Sequence, residues 1–445
     1  MLLLILLVFG LFAGILAGIP VMFSLLGVSF LVTGFGYFTG VFDLALLGAL
    51  PPRIFGLMAN QLLYSVPLFI LIGKVLEHAG IAQSALSGLG GNGKSLAKRL
   101  PFAVIGISVI IACSSGVVGA TIVMLGTLAF PAMINAGHER RFSAGLICAS
   151  GSLGQIIPPS IVLILLADQI SNAWQVSQRN SGNFAPDPVT IGHLFAGALL
   201  PGLVLAAGYV AYTFVHLRGF TVSGEWSEPL EAKRTSLFSL IGLMSLLLVP
   251  ASILFGFATA TEASSIGCLL VILIAVASGK VGSLGKAFTE TVELTGVIFG
   301  IIIAASVFAL VFRGLEGDRI VEYALSDLPG DGQVALLVIM AFVFVLGFIL
   351  EFVEITYLVV PIAAPVLFSL GVDPIWFAIL MAVNLQLSFI TPPMGISLFY
   401  LQSVTQLPAK ILFQSTLPFI LIQLAVLVFM YSFPALAIWL PSVLI

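Results

Sequence analysis

Charge is scarce in this 445-residue chain: Asp, Glu, Lys and Arg make up 8% of it, where soluble domains carry about 25%. So few charges cannot clothe a water-exposed surface. None occurs from Met1 to Phe42, from Leu100 to Gly137 or from Ile411 to Ile445. The net charge of −3 leaves no basic face for nucleic acid. Cysteine is scarce too. Cys113, Cys148 and Cys268 are odd in number, sit in apolar segments and lack metal-ligand spacing, so they read as packing residues. The four histidines (His78, His138, His193, His216) are scattered at expected helix ends, and His138-Glu139-Arg140-Arg141 is not a zinc-binding HExxH. An integral-membrane enzyme, the alternative from another class, therefore lacks both a metal cluster and a nucleophile with its base. A phosphate loop is missing as well. Gly91-Asn92-Gly93-Lys94-Ser95 has no first glycine at the required spacing and no preceding strand, which excludes an ATP-driven pump on this chain.

What is present is apolar: 60% of the residues are hydrophobic. A bilayer core of ~30 Å takes about 20 apolar residues per helix. Sustained hydrophobicity argues against a β-barrel, whose strands alternate lipid-facing and lumen-facing residues. The expectation is an all-α polytopic membrane protein with about ten spanning helices, at 2–18, 20–38, 60–79, 143–168, 191–217, 237–257, 262–279, 291–312, 375–402 and 411–435. The first lacks the flanks of a cleavable signal and reads as a retained span. Residues 101–134 and 333–368 are each too long for one span and have irregular centres.

Basic residues decide what these two stretches are, because positively charged loops stay cytoplasmic. Lys94, Lys98 and Arg99 precede 101–134, and His138, Arg140 and Arg141 follow it, so both its ends fall inside. Asp327 and Asp331 precede 333–368 and Asp373 follows, with no Lys or Arg, so both its ends fall outside. Each reads as a re-entrant hairpin. Arg218, Lys233, Arg234, Lys280, Lys286 and Lys410 fall inside, and the loop 169–190 falls outside. Both termini are then periplasmic, and Arg313 and Arg319 run against the rule.

The halves repeat at one offset. Pro131 and Pro365, Gly137 and Gly371, Phe142 and Trp376, Pro158 and Pro392, and Pro159 and Pro393 are each 234 apart (365 − 131 = 234). The opposite charge flanks make the repeat inverted, a transporter signature with its site near the midplane. The chain reads as one membrane domain: a first repeat over 60–168, linking helices over 169–290, a second repeat over 291–402 and a C-terminal span over 403–445.

Each repeat ends in a broken helix, Gly151-Ser152-Leu153-Gly154-Gln155-Ile156-Ile157-Pro158-Pro159-Ser160 and Asn384-Leu385-Gln386-Leu387-Ser388-Phe389-Ile390-Thr391-Pro392-Pro393-Met394-Gly395. Proline removes a backbone donor and clashes with the preceding turn. Carbonyls freed in this way are tolerated only in protein or along a cavity. With Ser, Thr and Gln oxygens they form a cage suited to Na⁺. Two Na⁺ sites are expected: one where the first tip (Ser114, Ser115, Gly116) meets Gly151, Ser152, Gly154 and Pro158, the other where the second tip meets Gln386, Thr391, Met394 and Gly395. Glu351 and Glu354 sit in the second tip region, where i, i+3 spacing would put them on one helix face. They read as a functional pair at membrane depth or as solvated helix caps. Arg313 at a helix end either snorkels or holds a substrate carboxylate. Candidate substrate contacts are Ser115, Ser160, Glu351, Glu354, Thr356, Asn384 and Arg313.

At these motifs the sequence resembles the large membrane subunit of tripartite ATP-independent periplasmic (TRAP) transporters. The likeness runs through Pro67-Leu68-Phe69-Ile70-Leu71 with Gly80-Ile81-Ala82, Ile156 to Ile161, Ala260-Thr261-Glu262-Ala263, Phe389 to Gly395 and Phe433-Pro434-Ala435-Leu436. It implies an elevator-type fold in the inner membrane, Na⁺ as coupling ion with no cofactor, a small membrane subunit, a periplasmic substrate-binding protein and an organic anion bearing a carboxylate. The family's first tip often reads Ser-Gly-Ser-Ala-Val-Ala-Asp; here Val117 stands for the second Ser and Thr121 for the Asp. Glu351 matches the family's acidic residue and Glu354 is an addition. The Gly-Gln-Ile-Ile-Pro-Pro-Ser version and the Glu-x-x-Glu pair resemble branches carrying small oxo-acids or monocarboxylates. A proton-coupled carrier of similar fold, using Glu351 or Glu354, is the alternative.

Overall fold

The computed structural model describes residues 1–80, 94–115, 118–220, 237–330, 332–393 and 395–445. Expectations that fall on Ile81, Ala82, Gly91–Gly93, Gly116, Val117, Lys233, Arg234, Asp331 and Met394 lie outside the described residues. Among the described residues every regular element is helical: α1 (Leu2–Leu16), α2 (Val21–Phe38), α3 (Leu50–Met58), α4 (Gln61–His78), α5 (Lys94–Ser115), α6 (Val118–Asn135), α7 (Arg140–Ser152), α8 (Ile161–Asn180), α9 (Ile191–Leu217) and α10 (Leu237–Leu254). The order continues with α11 (Ala260–Ala277), α12 (Val281–Gly314), α13 (Gly317–Ser326), α14 (Gln333–Leu346), α15 (Phe352–Ser369), α16 (Pro374–Ile390), α17 (Ile396–Thr405), α18 (Ala409–Ser432) and α19 (Ala435–Leu444), with 3-10 turns at Leu44–Ala49 and Leu153–Gln155.

The protein is an all-α polytopic membrane protein. Among the described residues seven helices are long and apolar enough to cross a membrane, or eight if the pair Leu44–Met58 and Gln61–His78, bent by 54°, is one span. About ten were expected. Two of the seven, α6 and α15, are arms of the expected hairpins; of the expected spans, 143–168 and 375–402 are broken, 60–79 belongs to the bent pair, and α1, with 15 residues, and α10 are not among the seven. Several expected boundaries move. The span 143–168 starts at Arg140, breaks after Ser152 and resumes from Ile161 to Asn180. Much of the expected loop 169–190 is thus helix. The span 291–312 is a 34-residue helix, Val281–Gly314. Hydropathy stops at charges, whereas helices stop at caps: Lys and Glu propagate a helix well, so Lys286, Glu290 and Glu293 sit inside α12. α3, α13 and α19 were not anticipated as separate helices.

The offset of 234 reappears in the coordinates. Val118 and Phe352 open α6 and α15, Asn135 and Ser369 close them, and Arg140 and Pro374 open α7 and α16, each pair 234 apart. Gly137 and Gly371 have φ of +89° and +88°. Just past a helix end, that left-handed conformation favours glycine. The Pro158–Pro159 and Pro392–Pro393 peptides are both cis.

Contacts divide the chain into two units, one of residues 1–64, 164–190 and 293–378, the other of 65–163, 191–292 and 379–445. In the first, α1 packs on α2 with Gly10 against Val28 and Gly14 against Ser24. α14 and α15 pack together, and their far ends meet: a Cβ on Gly332 would lie 3.0 Å from Leu370 Cβ. In the second unit α5 and α6 pack in the same way. The Nε2–H of buried His138 donates to the Ala97 carbonyl (2.8 Å), tying the start of α5 to the end of α6. Its ring stacks on Phe220 with centroids 4.4 Å apart. α6 receives α17, with Gly119 and Gly126 against Tyr400 and Leu401. α7 meets α18 so closely that a Cβ on Gly145 would strike the Ser415 carbonyl oxygen. Glu262 of the Ala260-Thr261-Glu262-Ala263 motif forms a capping box for α11 with Thr259: Glu262 N–H donates to Thr259 Oγ1, and Thr259 N–H to Glu262 Oε2 at 2.8 Å. His78, at the end of α4, is engaged by Glu290 (3.0 Å), which also takes Lys74 (2.9 Å).

Two outcomes follow for the α5–α6 hairpin. Cysteines at Lys98 and Glu139 should react with an impermeant thiol reagent from the same membrane side; reaction from opposite sides would exclude a hairpin. Burial holds the His138 imidazole below its ordinary pKa, while its bond to Ala97 opposes that and His216 adds to it. The unfolded chain then binds the extra proton, so this contribution to stability is lost as pH falls through about 6.5. The thermal midpoint in detergent should drop more steeply between pH 7.5 and 5.5 in the wild type than in His138→Phe.

Candidate functional site

The centre of the second unit is built on two missing hydrogen bonds. In a continuous helix the residue at i+4 donates to the carbonyl of residue i. Pro159 stands at i+4 from Gln155, and Pro393 at i+4 from Phe389, and neither has an N–H to give. A buried carbonyl needs a partner. The hydroxyl of Ser160 donates to the Gln155 carbonyl at 2.7 Å, and the hydroxyl of Ser397 donates to the Phe389 carbonyl. Gln155 and Phe389 are themselves 234 apart, so the same repair is made twice.

The two breaks touch at repeat-related residues. Gln386 Nε2 donates to Ser152 Oγ at 3.3 Å across a sequence separation of 234. Ser152 Oγ donates in turn to the Ala149 carbonyl at 2.8 Å, and Thr391 Oγ1 to Leu387 at 2.6 Å. Gly151, Ser152, Gly154, Pro158, Ser160, Asn384 and Gln386 are all buried. Gly151 is pressed against Ile122, which a Cβ would meet at 2.7 Å, and Gly395 sits 3.0–3.1 Å, in the same sense, from the backbone of Phe389 to Thr391. α5, which ends in Ser114 and Ser115, packs on the 3-10 turn Leu153–Gln155. Gly116 and Met394 lie outside the described residues. Both amide atoms of Gln155 and the Oε1 of Gln386 are buried without a partner among the described residues. Gln155 and Ser397 were not singled out from sequence, although proline at i+4 from a carbonyl was a usable signal.

The other candidates belong to the first unit. Glu351 and Glu354 do not share a helix face. Glu351 is the extended, exposed N-cap of α15, while Glu354 in its first turn is 3% exposed. The Oε2 of Glu354 is buried without a partner among the described residues. Thr356 Oγ1 is likewise buried and unpartnered. Arg313, in the last turn of α12, donates from Nη2 to the Pro361 carbonyl at 3.2 Å and lines a cavity of about 450 Å³ with Arg53, Asn60, Asp168 and Tyr357. Asp168 is buried beneath four donors: Asn60 Nδ2 (2.6 Å), Gln169 Nε2 (2.8 Å), Tyr357 OH (2.9 Å) and Asn172 Nδ2 (3.4 Å). The sequence reading ended a span at residue 168 and passed over this group. A carboxyl closing the apolar run Ile161–Ala167 was the available signal.

A family model described as "Tripartite ATP-independent periplasmic transporter, DctM component" matches residues 8–436. The chain belongs to this family. It is similar to the C4-dicarboxylate TRAP transporter large permease protein DctM of Pseudomonas aeruginosa, 27% identical over 397 residues that cover 88% of each chain. It is also similar to the sialic acid TRAP transporter large permease protein SiaM of Vibrio cholerae, 27% identical over 447 residues, covering 98% of this chain and 97% of that one. Among solved structures the YdaH transporter of Alcanivorax borkumensis shares the fold, with a TM-score of 0.63 at 15% identity over 88% of this chain and 90% of that chain. This TRAP large permease is thus a subunit of a secondary transporter and not an enzyme. Its family works with a small membrane subunit and a periplasmic binding protein.

The serine repairs give a direct test. Ser397→Ala leaves the buried Phe389 carbonyl without its donor, at a cost of about 1–3 kcal/mol. Its thermal midpoint should fall, while Ser403→Ala, on an exposed stretch of α17, should leave it unchanged.

Proposed function

We propose that this TRAP permease uses inward Na⁺ movement to carry a small organic carboxylate across the inner membrane by an elevator motion, receiving it from a periplasmic binding protein while the small subunit anchors the scaffold. The observation that carries this reading is the pair of buried side-chain oxygens, Gln155 Oε1 and Gln386 Oε1, that have no partner among the described residues and lie beside two backbone breaks that adjoin one another. Broken helices of inverted-repeat transporters coordinate coupling ions in this manner. The ligand chemistry supports a monovalent ion. No Asp or Glu occurs from Arg141 to Ala167 or from Pro374 to Ile445, so the surrounding oxygens are neutral amides, hydroxyls and carbonyls. A divalent ion there would keep its charge uncompensated.

Glu354 favours a second reading. A carboxyl that is 3% exposed with one oxygen unpartnered suits a protonated group, and in a proton-coupled carrier it would bind the transported proton. Reconstituted uptake separates the two. With the cognate binding protein and small subunit present, a Na⁺ gradient should drive concentrative uptake that Glu354→Gln retains. Gln155→Leu and Gln386→Leu should each lower the rate at limiting Na⁺ by ten-fold or more. Uptake indifferent to Na⁺ but driven by a pH gradient and lost in Glu354→Gln would replace this reading with the proton-coupled one. Concentrative uptake by this polypeptide alone would count against dependence on the other two components.

A further inference from the structure

The first unit's cavity has a chemistry of its own. Its volume of about 450 Å³ suits a small molecule, since ligand pockets run from roughly 300 to 1,000 Å³. Two guanidinium groups line it, Arg53 from α3 and Arg313 from α12. Neither belongs to any ion pair among the described residues. Arg313 spends one N–H on the Pro361 carbonyl, and no carboxylate among the described residues lies within ion-pair distance of either fork.

One carboxyl group borders the cavity, and it is already engaged. Asp168 accepts bonds on both oxygens, from Asn60 and Asn172 on Oδ1 and from Gln169 and Tyr357 on Oδ2. Two fixed positive charges against at most one negative charge leave the cavity positive whatever the protonation state of Asp168. Such a pair of forks is matched by a carboxylate, which an arginine can hold bidentately. Leu57, Val176 and Ala309 supply an apolar wall for a short aliphatic body.

We propose that this cavity is the carboxylate-binding site of the permease, with Arg53 and Arg313 clamping the carboxylate of a short aliphatic acid. Asp168 is a positioning residue: it holds Asn60 from the break between α3 and α4, Asn172 from its own helix α8 and Tyr357 from α15 around the bound acid. The proposal rests on the reading of the protein as a carboxylate carrier and gives that carrier its site.

Thermal shift of the purified full-length chain tests it, with pyruvate, lactate and succinate as probes and chloride at matched ionic strength as the control. Binding to the native state alone raises the midpoint. At least one of the acids should stabilise the wild type above chloride. Arg53→Gln and Arg313→Gln should abolish that shift, and Arg313→Lys, which keeps the charge and loses the fork, should raise the half-saturating concentration by ten-fold or more. Equal stabilisation of the wild type and both Gln variants, or no stabilisation of the wild type by any of the three acids, would overturn the proposal. Uptake keeps the two readings apart. Na⁺-driven uptake that survives Arg53→Gln and Arg313→Gln sinks this site and leaves Na⁺ coupling standing. Loss of Na⁺ dependence with the acid-induced shift intact does the reverse.

Discussion

A carbonyl that proline leaves without its helical partner, inside an apolar protein, must find another donor. Much of the second unit is arranged around that requirement. Lipid offers no hydrogen bonds, so an interrupted helix has to be enclosed by protein. The enclosure here is dense. The hydroxyls of Ser160 and Ser397 replace the two missing N–H groups, α5 covers the Leu153–Gln155 turn, and α6 lies against α17. Close approach of these helices is possible because Gly119, Gly126, Gly145 and Gly151 present no side chain at the points of contact. Among the described residues, the buried side-chain atoms at the breaks that remain without a partner belong to Gln155 and Gln386. The same constraint that forces the breaks to be buried therefore concentrates unused oxygens at one place.

Charge follows a complementary rule. A chain with 16 basic and 19 acidic residues can leave almost none of them unpaired in apolar surroundings. Lys74, Glu77, His78 and Glu290 form one network where α4 ends, and Asp168 is covered by four donors. Against that background two arginines sharing a cavity, in no ion pair among the described residues, stand out. A cation left with spare donors in a confined space is costly unless something else supplies the anion, and the proposed carboxylate cargo would supply it.

Much of the fold was legible in the sequence because its signals are local. Apolar runs set most spans, and the offset of 234 appeared first in prolines and glycines and then in the boundaries of α6, α7, α15 and α16. The errors have a common source. Hydropathy detects where charge interrupts an apolar run, but a helix continues through Lys and Glu until a cap or glycine ends it. α12 is accordingly 34 residues long, and α8 runs on to Asn180, short of Gly182 at φ +82°. The i, i+3 rule failed for Glu351 and Glu354 because Glu351 is the extended cap and only Glu354 lies in the helix.

The sequence by itself determined that this chain lives in a bilayer, that it repeats, and that each repeat breaks at a Pro-Pro pair. Composition, spacing and the missing proline N–H are properties of the chain before it folds. Only the tertiary structure decided which groups answer those breaks and which residues share a cavity. Ser397 repairs Phe389 from eight positions away, Gln386 reaches Ser152 across 234 residues, and Tyr357 finds Asp168 across 189. No rule of local spacing links such partners, although the pair Gln386 and Ser152 falls on the repeat offset. They meet because helices distant in sequence pack side by side, and burial then makes each unpaired polar atom seek whatever donor or acceptor the neighbouring helix presents.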